Sequence, residues 1–491
     1  MDSASPVENK LPDAPSGINR ALPIVLAVAL FMENMDSTVI STSLPAIARD
    51  IGTSPIALKL ALTAYLVSVA IFIPVSGWMA DRYGAKNVFR SAIAVFVLGS
   101  IACAFSNSLG QFVGARFLQG MGGAMMTPIA RLVLVRTTSK TELVNAMALL
   151  TIPGLIGPFV GPPVGGFITT YFSWHWIFLI NVPIGIAGIF FAGRIMPDMP
   201  GHKGGRIDGV GFVMAGLAAS GLVFGLSMIS LPVLPTWVGI AATLTGAISA
   251  VLYIRHAKRH PAPILDLKLF RNPVFRKAIT GGTLFRFGIG AIPFLLPLFF
   301  QLVFGLTPFQ SGLLTFASAG GALLMKFLAP KLLRLGGFRT VQMTAALVGG
   351  ALVVANGFFT TTTPHLVIIV VLLFAGFFRS LFFTSTNALV FAEIDNKDAG
   401  QATAINAAMQ QIAVAMGVAI AGSILEFAPF FTGAPLGHET FTIAFVMVGM
   451  LSMAAFIPFL TLDRAAGSDM SGHRRRLPPA ADPVAQQPPV V

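Results

Sequence analysis

Apolar runs of about 20 residues recur along this chain, separated by short polar turns, and few charges interrupt them. As a helix rising 1.5 Å per residue, such a run covers roughly 30 Å, the thickness of a bilayer's hydrocarbon core. Runs near 21–43, 56–80, 88–107, 109–133, 143–170, 175–195 and 208–230 each predict a membrane-crossing helix. A second set follows near 235–255, 277–301, 308–330, 339–361, 365–389, 400–424 and 439–462. The fourteen segments group as six, two and six. Residues 1–20 read as a polar cytoplasmic tail, 21–195 as a six-helix bundle and 196–276 as a linker carrying two additional helices. Residues 277–462 form a second six-helix bundle, and the Pro/Ala-rich 463–491 a disordered cytoplasmic tail. The predicted fold class is an all-α polytopic membrane protein.

Composition agrees: 55% of the 491 residues are hydrophobic and 10% charged, outside the range of ordinary soluble domains. The net charge of +13 would suit a nucleic-acid binder, but the cations sit in short clusters between apolar runs and form no basic domain. With a cytoplasmic N-terminus, Arg82/Lys86/Arg90, Arg136/Lys140, Lys203/Arg206, Arg255/Lys258/Arg259, Lys268/Arg271/Arg276/Lys277, Lys331/Arg334/Arg339 and Arg474/Arg475/Arg476 all fall inside. Only Arg49 and Lys59 fall outside, so the positive-inside bias predicts both termini in the cytoplasm. The single cysteine, Cys103, excludes a disulfide framework and a thiol metal site. No basic-then-apolar leader opens the chain, so the first span is expected to act as its own membrane signal. The seven histidines lie in loops or near span ends, and HExxH, GxSxG and Walker A patterns are absent. These features weigh against an enzyme, a resident metal or cofactor, and ATP as energy source.

The first span carries chemistry that its hydropathy does not need. In "LFMENMDSTVISTSLP", Glu33 and Asp36 share one helical face, about 15 and 10 Å below the outer end of the span. Arg116, in the inward-running fourth span, lies at the same depth as Asp36. An intramembrane charge costs at least ~2.5–3.5 kcal/mol. Two readings follow: a proton-binding site tuned by a neighbouring cation, or a static Asp36–Arg116 pair holding helices in register. Arg286 and Arg379 are two further cations within spans, and no acid falls well inside the last six. Asn406, Gln410 and Gln411 in the thirteenth span line the same cavity or bridge helices.

Three motifs carry a family resemblance. "GWMADRYGAKNVFR" at 77–90 combines Gly77, Asp81, Arg82, Gly84 and Lys86 in a short turn, readable on its own as a topology-setting basic loop. "RFLQGMGGAMMTP" holds Arg116, Gln119 and Gly120, and the fifth span holds Gly157, Gly161, Pro162, Gly165 and Gly166, with Ala148 where the matching pattern begins with glycine. On residue types alone the latter is tight helix packing. In order and spacing the three resemble the major facilitator superfamily. With Asp36 and "WHWIFLINVPIG" at 174–185, the chain is similar to the fourteen-span drug:proton antiporters of the EmrB/QacA type, especially the bacterial MdtD/HsrA-like group.

The resemblance implies a multidrug or small-molecule efflux antiporter in the bacterial cytoplasmic (inner) membrane, working by alternating access. The proton gradient would drive it, and its partners would be protons, an amphiphilic organic substrate and the lipid bilayer. Proton coupling then falls to Asp36, Glu33 and Arg116, and the substrate cavity to Arg286, Arg379, Asn406, Gln410, Gln411 and Gln119. Conformational roles fall to the 77–86 loop, where Asp81 would lock onto a helix terminus of the thirteenth span, and to the fifth-span glycines. A proton-coupled uptake carrier and a dedicated metabolite exporter are the alternatives within transport. Nothing in the sequence demonstrates an envelope adaptor.

Overall fold

A chain in hydrocarbon must satisfy every backbone N–H and C=O internally, and here the apolar runs do so as helices. The computed structural model describes residues 21–471 except 140–141, 202–206, 230, 232–234, 396–397 and 434–435. The sequence-predicted tail 1–20, the end of the C-terminal tail and Lys140, Lys203, Arg206, Arg474, Arg475 and Arg476 lie outside the described residues.

The first bundle comprises α1 (Ala21–Thr42, its last three residues a 3₁₀ turn), α2 (Lys59–Tyr83), α3 (Ala85–Ala104), α4 (Leu109–Thr137), α5 (Leu143–Tyr171) and α6 (Trp176–Ile195, with a turn at Ile180). Two linker helices follow, α7 (Gly209–Ile229) and α8 (Thr236–Arg259). The second bundle opens with α9 (Pro273–Leu302), broken at Gly290–Ala291. Helical turns then run over Pro308–Asn356, 49 residues. As one straight helix this stretch would measure ~74 Å, more than twice the hydrocarbon thickness. Gly337, at φ 64° and ψ 171°, breaks it. We label the pieces α10 (308–336) and α11 (338–356). α12 (His365–Phe391), α13 (Ala399–Thr432) and α14 (His438–Leu460) complete the chain. Thirteen helical elements among the described residues are long and apolar enough to cross a membrane, with α10 and α11 counted together.

Leu98, Phe190, Phe191, Leu244, Phe327, Leu366 and Phe374 are large, apolar and exposed, as expected of side chains facing lipid. Inside, small residues set helix spacing. α5 lies on α1 along Gly157, Gly161 and Gly165; a Cβ at Gly157 would sit 2.9 Å from Met35 N, and at the other two would overlap Thr38 Oγ1 and the Val39 carbonyl. The linker helices meet at Gly221 and Gly246. Asp208 joins their ends, accepting the Gly211 N–H and bonding His256 Nε2, each at 2.8 Å.

The two bundles meet at one face. Gln301 Nε2 donates to the Thr42 carbonyl at 2.9 Å, and the Phe309 N–H to Thr170 Oγ1 at 3.1 Å. Gly166 packs against Pro308, and Gly312 against Pro162, too closely for any side chain. We call this the closed face. The opposite, basic face carries Asp81, Arg82, Lys86 and Arg136.

Candidate functional site

α1 presents Asp36 toward α3, α4 and α6. The carboxylate is fully buried and accepts three donors: Arg116 Nη1 at 2.6 Å on Oδ2, and Gln119 Nε2 at 2.8 Å and Asn181 Nδ2 at 3.0 Å on Oδ1. Gln119 and Asn181 also donate to Ser100 Oγ at 2.7 and 3.3 Å. Arg116 spans Gln119 Oε1 at 2.5 Å, and its guanidinium lies 4.4 Å from the Tyr65 ring centroid. Cys103 Sγ reaches Gln119 Oε1 at 3.8 Å. An ion pair so far from water loses much hydration, and its survival depends on further hydrogen bonds to the remaining lone pairs. Gln119, Asn181 and Ser100 supply them. The Tyr65 hydroxyl, Arg116 Nε and Asn181 Oδ1 are buried without a partner among the described residues.

Glu33 differs. It is partly exposed and accepts one hydrogen bond, from Thr127 Oγ1 at 2.7 Å. Gly123 leaves room for it beside Tyr65: a Cβ there would meet the Tyr65 hydroxyl at 2.9 Å and Glu33 Cγ at 3.6 Å. The pair predicted from equal depth, Asp36 and Arg116, is therefore in contact, with Glu33 on the same helix facing more open space. Gln119, expected in the substrate cavity, instead belongs to the Asp36 network, because the buried carboxylate draws the nearest amide donor. Asn181, Ser100 and Cys103 were not expected there.

In the second bundle, Arg286 is 5% exposed. It donates from Nη1 to the Gly282 carbonyl at 3.1 Å and lies 4.6 Å from the Phe383 ring centroid. Arg379 is partly buried on α12. Asn406 and Gln410 both donate to Asn387 Oδ1, at 3.4 and 3.1 Å, while Gln411 is partly exposed on α13.

The loop after α2 turns at Gly84, whose φ of 85° favours glycine; a Cβ would lie 2.7 Å from the Met199 carbonyl oxygen. Lys86 pairs with Asp198 at 2.8 Å. A lock between Asp81 and α13 is not formed in this structure. Asp81 pairs with Arg136 of α4 at 2.8 Å, both half-exposed, because the basic end of α4 stands beside the loop. Gly77 has open space around its Cα, with nothing within 4 Å of an added Cβ, so close helix approach does not explain it.

The strongest link between bundles was missed. Lys59 at the start of α2 is fully buried and donates from Nζ to Glu426 Oε2 of α13 at 2.5 Å. The Lys59 stem occupies space that any side chain at Gly422 would take. The positive-inside pattern puts Lys59 on the outer side, which agrees with its depth here but says nothing of its burial or pairing.

A helical membrane protein of two bundles joined at one face, with a charged network inside one of them, has the form of a membrane transporter. The Major Facilitator Superfamily model matches residues 26–418 and 280–484, and the chain belongs to that family. It is 34% identical over 464 residues to a Haemophilus influenzae protein named HsrA, a probable transport protein, covering 94% of this chain and 99% of that one. It is 33% identical over 475 residues to a Yersinia enterocolitica protein named MdtD, a candidate multidrug resistance protein, covering 96% and 100%. Among solved structures, the POT family transporter PepTSo superposes with a TM-score of 0.67 at 14% identity, covering 94% and 100% of the two chains. A D-xylose–proton symporter gives 0.64 at 16% identity, covering 91% and 98%. At these identities the likeness is one of fold.

Proposed function

We propose that this protein is a proton-coupled exporter of small amphiphilic organic molecules, working by alternating access in a bacterial cytoplasmic membrane. On this reading the chain crosses fourteen times, with its basic face and both termini in the cytoplasm. The observation that carries the reading is the pairing of two unlike carboxylates on α1: Asp36 saturated by Arg116, Gln119 and Asn181, and Glu33 held by one hydroxyl and partly open. Intramembrane acids of this kind mark proton pathways. The names of the HsrA and MdtD relatives, a transport protein and a multidrug resistance protein, support the reading.

On this reading the closed face lies on the outer side of the membrane. Substrate entering from the cytoplasm or the inner leaflet promotes proton release from Glu33 and Asp36. The loaded bundles rock, and protonation from outside lowers the affinity for substrate. Inward movement of one proton contributes ~2.3 kcal/mol per 100 mV and ~1.4 kcal/mol per pH unit. No cofactor is required. Transport in proteoliposomes under an imposed pH gradient tests the direction. The reading expects substrate to move against the proton flow and Asp36→Asn to abolish this movement; movement with the protons would establish uptake instead.

A further inference from the structure

The second bundle holds two arginines at mid-depth that have no counter-charge among the described residues. Counted from helix ends on the basic face at 1.5 Å per residue, Arg286 lies about 20 Å in from Pro273 and Arg379 about 18 Å in from Phe391. Glu33 of the first bundle lies about 18 Å in from Ala21, at the same level. Among the described residues neither guanidinium has a carboxylate within 4 Å. The second bundle's acids lie elsewhere: Glu393, Asp395 and Asp398 at the turn before α13, Glu426 on Lys59, Glu439 at the start of α14 and Asp463 beyond its end.

Arg379, Phe383 and Asn387 follow one another at four-residue intervals on α12 and so share a face. Arg286 of α9 lies over the middle member, and the Asn406 and Gln410 amides of α13 bond the last. Three helices thus bring two guanidiniums, an aromatic ring and three amides into one strip. A guanidinium buried this far from water is unfavourable unless something compensates its charge, and among the described residues Arg286 has one backbone carbonyl and the face of the Phe383 ring.

We propose that this strip is a receptor for an anionic group on the transported molecule, with Arg286 and Arg379 binding a carboxylate or similar oxyanion and Phe383 flanking its apolar part. The assignment rests on the space between the bundles being the transport cavity, as proposed above, and deepens it: substrates are anionic or zwitterionic amphiphiles, and dications are disfavoured. Two positive charges entering the cavity would meet two more, with Glu33 and the already paired Asp36 as the available counter-charges.

The test uses full-length protein in phosphatidylcholine nanodiscs and isothermal titration with three matched probes: naphthoate, naphthylmethanol and naphthylmethylammonium. Naphthoate should bind most tightly, and Arg286→Gln and Arg379→Gln should each weaken it by about ten- to a hundredfold, the range for a charge-assisted contact, without altering naphthylmethanol binding. Arg286→Lys and Arg379→Lys, which keep the charge should the Gln variants fold poorly, should recover part of the loss. Naphthoate binding no tighter than the alcohol, or unchanged in folded Gln variants, would overturn the proposal, as would tight binding of a bis-quaternary ammonium. Asp36→Asn separates the two readings: it should retain naphthoate binding while losing proton-driven transport. If the unmodified protein binds naphthoate through the arginines but moves nothing against a proton gradient, the transport reading fails and the receptor stands.

Discussion

Glu426→Gln should open the closed face. Lys59 is fully buried and its ammonium lies 2.5 Å from the Glu426 carboxylate, across the boundary between α2 and α13. Removing one member of a buried pair costs about 3–5 kcal/mol. That cost falls on the closed state alone, because separating the bundles gives Lys59 access to water. At ~1.4 kcal/mol per tenfold, the closed-to-open ratio should drop by roughly a hundredfold to a few thousandfold. Conformational gaps of a few kcal/mol are typical, so a shift of this size inverts the populations. Spin labels on cysteines replacing Ser54 and Thr361, both exposed on the closed face, would report the distance between bundles, with buried Cys103 changed to alanine. Lys59→Met combined with Glu426→Met should restore the closed population, since apolar residues of similar volume often replace a buried pair without loss. An unchanged distance distribution in Glu426→Gln would refute the latch and reduce the pair to local packing.

Gly161→Val should destabilise the protein by at least about 1–3 kcal/mol, the usual range for overpacking, because its Cβ overlaps Thr38 on α1; a thermal unfolding midpoint equal to the parent's would contradict that packing role. Asp81→Asn should lose little from the half-exposed Arg136 pair, less than about 1 kcal/mol. If Asp81 exchanges Arg136 for the N-terminus of α13 when the basic face closes, a contact worth about 0.3–2 kcal/mol, single-molecule distances across that face should show fewer closed molecules. An unaltered distribution leaves the loop a topological role. Asn181→Leu should weaken proton coupling while preserving the fold, because it removes one of three donors to Asp36; transport equal to the parent's in proteoliposomes would place Asn181 outside the site.

The spans were legible because hydrocarbon imposes length and apolarity on each of them. Gly337 falls where that signal asks for a turn: the sequence separates 308–330 from 339–361, and the backbone leaves the helical conformation at this glycine between them. Asp36 and Arg116 could be matched from depth alone, since 1.5 Å per residue converts position into height. Depth says nothing about rotation about the helix axis, which is why Gln119, one turn from Arg116, was assigned to the cavity. Asn181 and Ser100 were missed because a neutral polar residue in an apolar span alters neither hydropathy nor charge balance. Lys59 and Glu426 stand 367 residues apart, and each looks ordinary at its own helix end. Only the approach of the two bundles makes them partners.

The central claim is that substrate and protons compete at Glu33 and Asp36, and proton release on binding tests it most directly. Purified protein in weakly buffered solution with a pH-indicator dye would be titrated with a panel of anionic, zwitterionic, neutral and cationic amphiphiles. Zwitterionic compounds, whose anionic group meets Arg286 and Arg379 and whose cationic group meets the α1 acids, should release protons on binding, with the release reduced in Glu33→Gln and abolished in the Glu33→Gln/Asp36→Asn double variant. Saturable zwitterion binding with no proton release, or release that persists undiminished in the double variant, would contradict it.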